Sequence, residues 1–204
     1  MKILIDIGCF NAKTASETYK LLKKKSEKWY GYMIEPNPYL KDDINNNLKD
    51  LNYSYHQLGI SDEDGEFDFY MGKYGYTNRR TPKDKNKCMR SSLCYDKSFI
   101  NKHLSGEKIK IKTITLKRFI DENNIKKIDL LKVDTEGKDF DILKKYFDTD
   151  NIIYPEKIIT EDICKGVDEL EQRKIADEKK SYLEKKGYKH SILDDCNSVF
   201  TKIK

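Results

Sequence analysis

Residues 128–137 read IDLLKVDTEG. Its apolar residues, Ile128, Leu130, Leu131 and Val133, are clustered as expected of a strand buried on both faces of a parallel sheet. It ends in Lys132, Asp134, Glu136 and Gly137. In open α/β sheets ligands bind outside the carboxyl ends of the strands. Acids at that position have four readings: a solvated loop, a helix N-cap formed by Asp134 and Thr135 ahead of a helix from Lys138, a metal site, or a catalytic pair.

The same alternation runs outward in both directions. KILIDIG (2–8) is an apolar strand ending in glycine, and residues 12–25 have helical spacing. YGYMIEP (30–36) is a second strand stopped by prolines, followed by a helix over 38–51 with Leu40, Ile44, Leu48 and Leu51 on one face. YSYHQLGI (53–60) reads as a third strand, and EFDFYMG (66–72) as a half-exposed antiparallel one. Residues 109–121 predict a strand running into a short helix, 138–147 a helix, 156–163 a strand, 168–187 an amphipathic helix, and 188–203 a closing hairpin. This order predicts an α/β fold with a Rossmann-like, mostly parallel sheet, helices on both faces and an antiparallel last strand. One domain spanning 1–204 is expected, with an insertion or lid at about 73–108. Its first part, 73–94, has no periodicity, and a loop that long usually carries function.

Composition narrows the classes. The chain has 204 residues, 37% charged and 37% hydrophobic, enough for a sizeable core under a charged surface. No apolar run approaches the roughly 20 residues of a membrane span. The N-terminus has no signal-peptide pattern, so a cytoplasmic protein without membrane partners is expected. The net charge of +5 comes mostly from lysine. Arginine suits planar anion contacts better, and Arg79, Arg80 and Arg90 cluster in the aperiodic segment, near Tyr74 and Tyr76. Five cysteines without CxxC spacing support neither a disulfide framework nor a zinc site. His56, His103 and His190 belong to no constellation and are expected to be structural.

Two strand tips bear on ligand binding. At the first, Gly8 would let the backbone approach a ligand, Asn11 tolerates a left-handed turn, and a helix from about Ala12 would direct its N-terminus at the ligand. At the second, Glu35 is placed to accept hydrogen bonds from both hydroxyls of a ribose. The alternative there is an Asn37 N-cap with Glu35 merely exposed. The pattern is not G-x-G-x-x-G, which argues against a dinucleotide oxidoreductase.

DIGCFNAKT, IEPNP, LGISDEDGEFDFY, SSL, IKIKTITLKRFI, IDLLKVDTEGKDFDIL and IITEDI occur in one order over roughly residues 3–164. This series resembles the FkbM family of S-adenosylmethionine-dependent methyltransferases. The most specific parts are residues 34–38, 61–65 and 132–137. The resemblance implies a class I methyltransferase fold with a seven-stranded sheet, and mainly O-methylation of sugars and polyketide-like molecules. It also implies that Asp6, Gly8, Phe10, Asn11 and Thr14 surround the methionine part of the cofactor. Glu35, with Pro36 and Asn37, would hold the ribose, and Leu58, Gly59 and Asp62 the adenine. Ser91 and Ser92 match the family's serine pair. The family's further glycine near Asn11 or Ala12 is absent.

Methyl transfer to a hydroxyl needs alignment and benefits from a base. Asp134 is the expected base or orienting residue, with Glu136 as its partner and Lys132 tuning Asp134 or binding substrate. Arg79, Arg80, Arg90, Ser91, Ser92 and Glu161 are the expected substrate contacts. A divalent cation between Asp134, Glu136 and Glu161 or Asp162 is a minor alternative, and no metal is expected. The expected substrate is a glycan or small hydroxylated molecule. The alternatives are ribose 2'-O-methylation of RNA, drawing on Lys165 and the arginines, and an inactive cofactor-binding scaffold.

Overall fold

A computed structural model of the chain describes residues 1–14, 16–72, 91–93, 104–162 and 169–203. Arg79, Arg80, Arg90, Tyr74, Tyr76, His103, Lys165 and most of the expected insertion lie outside the described residues.

The elements are β1 (Lys2–Ile7), α1 (Glu17–Leu22), β2 (Trp29–Ile34), α2 (Lys41–Leu48), β3 (Tyr53–His56), β4 (Gly59–Ser61), β5 (Gly65–Gly72) and β6 (Leu104–Thr115). They continue with α3 (Leu116–Glu122), β7 (Leu130–Val133), α4 (Asp139–Phe147), β8 (Lys157–Glu161), α5 (Glu169–Lys185), β9 (Tyr188–Ile192) and β10 (Asn197–Lys202). Seven strands form the main sheet in the order β3-β2-β1-β7-β8-β10-β9. The β1, β2, β3, β7 and β8 pairings are parallel, and β10 runs antiparallel to both β8 and β9. The fold is therefore the expected Rossmann-like one with an antiparallel last strand. A second sheet, β4-β6-β5, stands beside it. No helix among the described residues is long and apolar enough to cross a membrane.

Side-chain alternation divides the core between the two faces of the main sheet. Ile5, Ile7, Leu131, Val133 and Ile158 pack with Phe119 of α3, Leu143 and Tyr146 of α4 and Leu183 of α5. Leu4, Met33, Leu130, Ile159 and Val199 pack on the other face with Leu22 of α1 and Ile44 and Leu48 of α2. Asp6 and Lys132 belong to this second face, opposite one another in the β1–β7 register.

Four expectations are corrected. The helix over 12–25 is only Glu17–Leu22, because the Ser16 hydroxyl caps it by accepting from the Tyr19 N–H. Its N-terminus therefore lies well past Gly8. The left-handed residues of the preceding loop are Phe10 and Ala12, not Asn11. Asn11 instead folds its side chain onto the loop, accepting from the Lys13 and Thr14 N–H groups and donating to the Thr14 hydroxyl. The strand over 53–60 splits between two sheets, β3 in the main one and β4 in the second. The last residues of the expected insertion, from Leu104, are part of β6 and pair antiparallel with β5.

One glycine is dictated by the sheet itself. Gly8 has φ +79°, and a Cβ there would sit 1.9 Å from the Asp134 carbonyl oxygen. The tips of β1 and β7 touch backbone to backbone, through Asp134 N–H to the Ile7 carbonyl at 3.0 Å. Gly8→Ala is therefore expected to cost at least about 3 kcal/mol, since both backbone conformation and sheet pairing are disturbed. Urea denaturation of the two proteins measures it.

Candidate active site

A cleft open to solvent lies at the carboxyl ends of β1, β2 and β7. Gly8 and Phe10 line one side, Glu35 and Pro36 another, and Asp134, Thr135 and Glu136 a third. Ile34, Leu58, Ile60, Phe69 and Leu93 give it an apolar wall. Gly59 lies on the same wall, where an added Cβ would come within 3.1 Å of Ile111 and Thr113.

Glu35 is 6% exposed, so the reading of it as a merely exposed residue fails. Its carboxylate accepts the Phe10 N–H at 2.9 Å and the Asn37 N–H at 3.0 Å, tying the β1 loop to the β2 tip. Burial pushes its pKa up to about 7, helped by Asp6 and Asp134 and opposed by those two N–H donors. Asn37 is buried beside it and caps the 3-10 turn Pro38–Leu40 by accepting from the Tyr39 N–H.

Asp6 is 1% exposed and does not line the cleft. It accepts from the Thr18 hydroxyl of α1 and lies 3.5 Å from the Lys132 ammonium. Lys132 donates to Asp134 Oδ2 at 2.9 Å. Positions 132 and 134 share a strand face, so the lysine meets the acid two residues on. Burial works against the Lys132 charge, but Asp134 and Asp6 outweigh it and hold the ammonium ionised far above its ordinary pKa. Asp134 therefore does not cap α4. Thr135 does part of that work, its hydroxyl accepting the Lys138 N–H at 3.2 Å.

Glu136 sits in a left-handed turn with φ +56°, followed by Gly137 at +120°. Its carbonyl accepts from the Ser92 hydroxyl at 2.7 Å. Residues 91–93 are in turn pinned to β5 through paired Tyr70–Ser92 backbone hydrogen bonds and the Gly72 N–H to Ser91 Oγ contact. The expected serine pair thus shapes this corner: Ser91 lines the cleft and Ser92 holds the Glu136 backbone.

Asp134, Glu136 and Glu161 bring carboxylate oxygens within 4.8 Å of one another. Burial, then Glu136, Asp134 and Asp139, push Glu161 well above the usual carboxylate range. Such a group can orient and deprotonate a hydroxyl, and oxygen donors of this kind also suit hard cations. Asp162 does not join it; its oxygens go to Lys179 and Ser198. Among the other expected residues, Asp62 lines an adjoining hollow with Ser61 and Lys138. Asn11 and Thr14 bond to each other outside the cleft lining. His56 and His190 have the expected structural settings, paired with Ser54 and Ser198.

Three residues of this region had no reading from the sequence. Thr18 anchors Asp6. Asp139, in the first turn of α4, and Lys179, on the core face of α5, are both buried next to Glu161. Only Lys179 left a signal: it occupies a position that helical spacing from Leu183 directs inward.

Replacing Lys132 by Met would strand two carboxylates against each other. The expected loss is about 3–5 kcal/mol of stability, read by urea denaturation, with part of it recovered in the Asp6→Asn/Lys132→Met double variant.

A family model of the FkbM methyltransferase domain matches residues 6–189. No curated protein matches the chain. A Clostridium thermocellum protein described as an rRNA methylase superposes with a TM-score of 0.51 at 10% identity, covering 99% of this chain and 89% of that one. Methanococcus jannaschii fibrillarin, a pre-rRNA processing protein, gives 0.47 at 12%, covering 98% and 66%. A precorrin-6y C5,15-methyltransferase from Geobacter metallireducens gives 0.43 at 12%, covering 98% and 78%. At 10% identity the first of these likenesses speaks to fold alone. With the family match running from Asp6 through β1, the cleft and β7 as far as β9, the chain belongs to the FkbM methyltransferase family, whose members use S-adenosylmethionine.

Proposed function

We propose that the protein is an O-methyltransferase that transfers the methyl group of S-adenosylmethionine to a hydroxyl of a sugar, glycan or other small hydroxylated molecule. The observation that carries this reading is the gathering of the Asp134, Glu136 and Glu161 carboxylates, the first two of which line the cleft with Gly8. A sulfonium needs no acid to activate it, whereas a hydroxyl nucleophile needs a proton acceptor.

The residues present fit S-adenosylmethionine. Gly8 leaves the backbone bare where any side chain would collide, Glu35 offers a buried carboxylate at the β2 tip, and the apolar wall suits a purine. Bound there, the cofactor supplies an electrophilic methyl carbon. Gly8 and Phe10 would flank its amino-acid part, Glu35 would accept from the ribose hydroxyls, and Leu58, Gly59 and Phe69 would cover the base. Lys132 holds Asp134 Oδ2, which leaves Asp134 Oδ1 to take the acceptor's proton; the cofactor would supply the methyl group, its carbon–sulfur bond breaking with the electron pair left on sulfur as the acceptor oxygen bonds to carbon. The Lys132 ammonium keeps that carboxylate oriented and neutralises its charge against Asp6.

RNA methylation is the second reading, and the rRNA methylase likeness is a likeness of fold only. Three acids at the reacting end oppose a phosphate strand, which binds through cations. A cofactor-binding but inactive scaffold is the third.

Calorimetry with S-adenosylmethionine tests the donor, and transfer of its radiolabelled methyl group to methyl hexosides or to a short RNA tests the acceptor. Transfer to RNA with steep salt dependence would favour the second reading, and binding without transfer to either the third; no binding would sink all of them. Cofactor affinity is expected to rise several-fold between pH 6 and 8, because Glu35 ionises near 7 and only its ionised form accepts from both ribose hydroxyls. Glu35→Gln should flatten that rise. Asp134→Asn should lower transfer by about a hundredfold or more with cofactor affinity nearly unchanged.

A further inference from the structure

The three carboxylates stand on two separate segments. Asp134 and Glu136 follow β7, whereas Glu161 ends β8. Like charges this close repel, so the two segments must be tied together by something stronger than their own side chains. β7 and β8 pair only as far as Val133 and Thr160, and beyond those residues the sheet ladder gives no further support.

Asp139 spans the gap. It is 5% exposed. Its Oδ1 accepts the Thr135 N–H at 2.8 Å and the Thr135 hydroxyl at 2.6 Å. Its Oδ2 accepts the Thr160 hydroxyl at 2.9 Å and the Glu161 N–H at 3.1 Å. One oxygen thus serves each segment, and each bond has a donor in the residue adjoining or carrying an acceptor-side acid. Lys179, 2% exposed, backs this arrangement from α5. Its ammonium donates to Thr160 Oγ1 at 3.2 Å and to the Glu161 carbonyl, and it pairs with Asp162 at 2.8 Å. Burial raises the Asp139 pKa, and the Lys179 charge opposes that rise. A charge buried this deeply would cost several kcal/mol without such partners. Asp139, Thr160 and Lys179 do not line the cleft, whereas Thr135 does.

We infer that Asp139, supported by Lys179, is a positioning residue that clamps the Asp134–Glu136 loop to the end of β8 and so sets the spacing of the carboxylates that receive the methyl acceptor. The inference rests on the proposed role of those carboxylates in transfer, but the clamp is measurable without acceptor or cofactor. An ionised carboxylate has two equivalent acceptor oxygens. Asp139→Asn has the same shape and one acceptor oxygen, so its NH₂ group must face the donors of one segment and that arm opens.

The test is a double-mutant cycle read by carboxyl-carbon NMR titration of Glu161. In the wild-type background Asp134→Asn removes a neighbouring charge and is expected to lower the Glu161 midpoint by about one unit. In the Asp139→Asn background the segments are free to part, and the same substitution is expected to move the midpoint by less than half as much. The direct effect of the lost Asp139 charge cancels, because each comparison is made within one background. Equal displacements in the two backgrounds overturn the inference. Thr160→Val, which removes one hydroxyl and no charge, is the second background and decides the matter should Asp139→Asn fail to fold. Calorimetry on the same proteins separates the two levels of argument. S-adenosylmethionine affinity is expected to stay within about threefold in Asp139→Asn and Thr160→Val, because those two side chains lie outside the cleft lining. Absence of binding by the wild type would sink the proposed function and leave the clamp to be judged by the titrations alone.

Discussion

The site is organised by the buried ion pair between the two central strands. Asp6 and Lys132 face one another across β1 and β7, and the lysine reaches on to Asp134. A lysine buried at such a place is unfavourable by itself, and so is each acid. The two acids hold the lysine in its charged form, and removing it leaves them against each other without compensation. The geometry that makes this contact close also brings the tip of β1 against the Asp134 carbonyl. Gly8 follows from that approach, and the bare backbone at the head of the cleft follows from Gly8.

Around this pair the molecule accepts unfavourable burial where the cleft requires it. Glu35 is raised to about 7 chiefly by burial. Whatever stability its protonated form contributes is fully present below the unfolded value near 4.5 and is lost as the pH rises through about 7. Glu161 is burdened in the same direction by burial and by its acidic neighbours. Neither arrangement serves folding. Both gather carboxyl groups towards the end of the cleft, where a ribose and an acceptor hydroxyl have donors to offer. Backbone N–H groups of Phe10 and Asn37 hold Glu35, and those of Thr135 and Glu161 hold Asp139, which fixes the loops as well as the side chains.

Much of this was legible in the chain. Short apolar runs such as LLKV and KILIDI can be buried on both faces only in a parallel sheet, and each ends at a glycine or an acid that marks the ligand edge. Glu35, Asp134 and Glu136 were found that way, and all line the cleft. The loop after β1 was not legible. Its helix was expected from about Ala12, because Tyr19 and Leu22 have helical spacing, but periodicity carries no information about where a cap falls, and Ser16 begins the helix later. The split of YSYHQLGI was hidden for a related reason. His56 and Gly59 are close in sequence, yet the chain turns between sheets at Leu58, a change of partner rather than of local conformation.

By itself the sequence determined the alternation of elements, the identity of the strand tips and the acids they carry, since these depend on local pattern and on the reach of one residue. Only the tertiary structure decided which acids meet. Asp6 was expected at the cofactor and is instead turned to Thr18 and Lys132. Asp139 and Lys179 had no reading from the sequence. Their roles arise through Thr160, which lies 21 positions from Asp139 and 19 from Lys179 and is brought to both by the β7–β8 pairing and the return of α5. A charge's function depends on what compensates it, and compensation acts through space, at distances that no periodicity along the chain records.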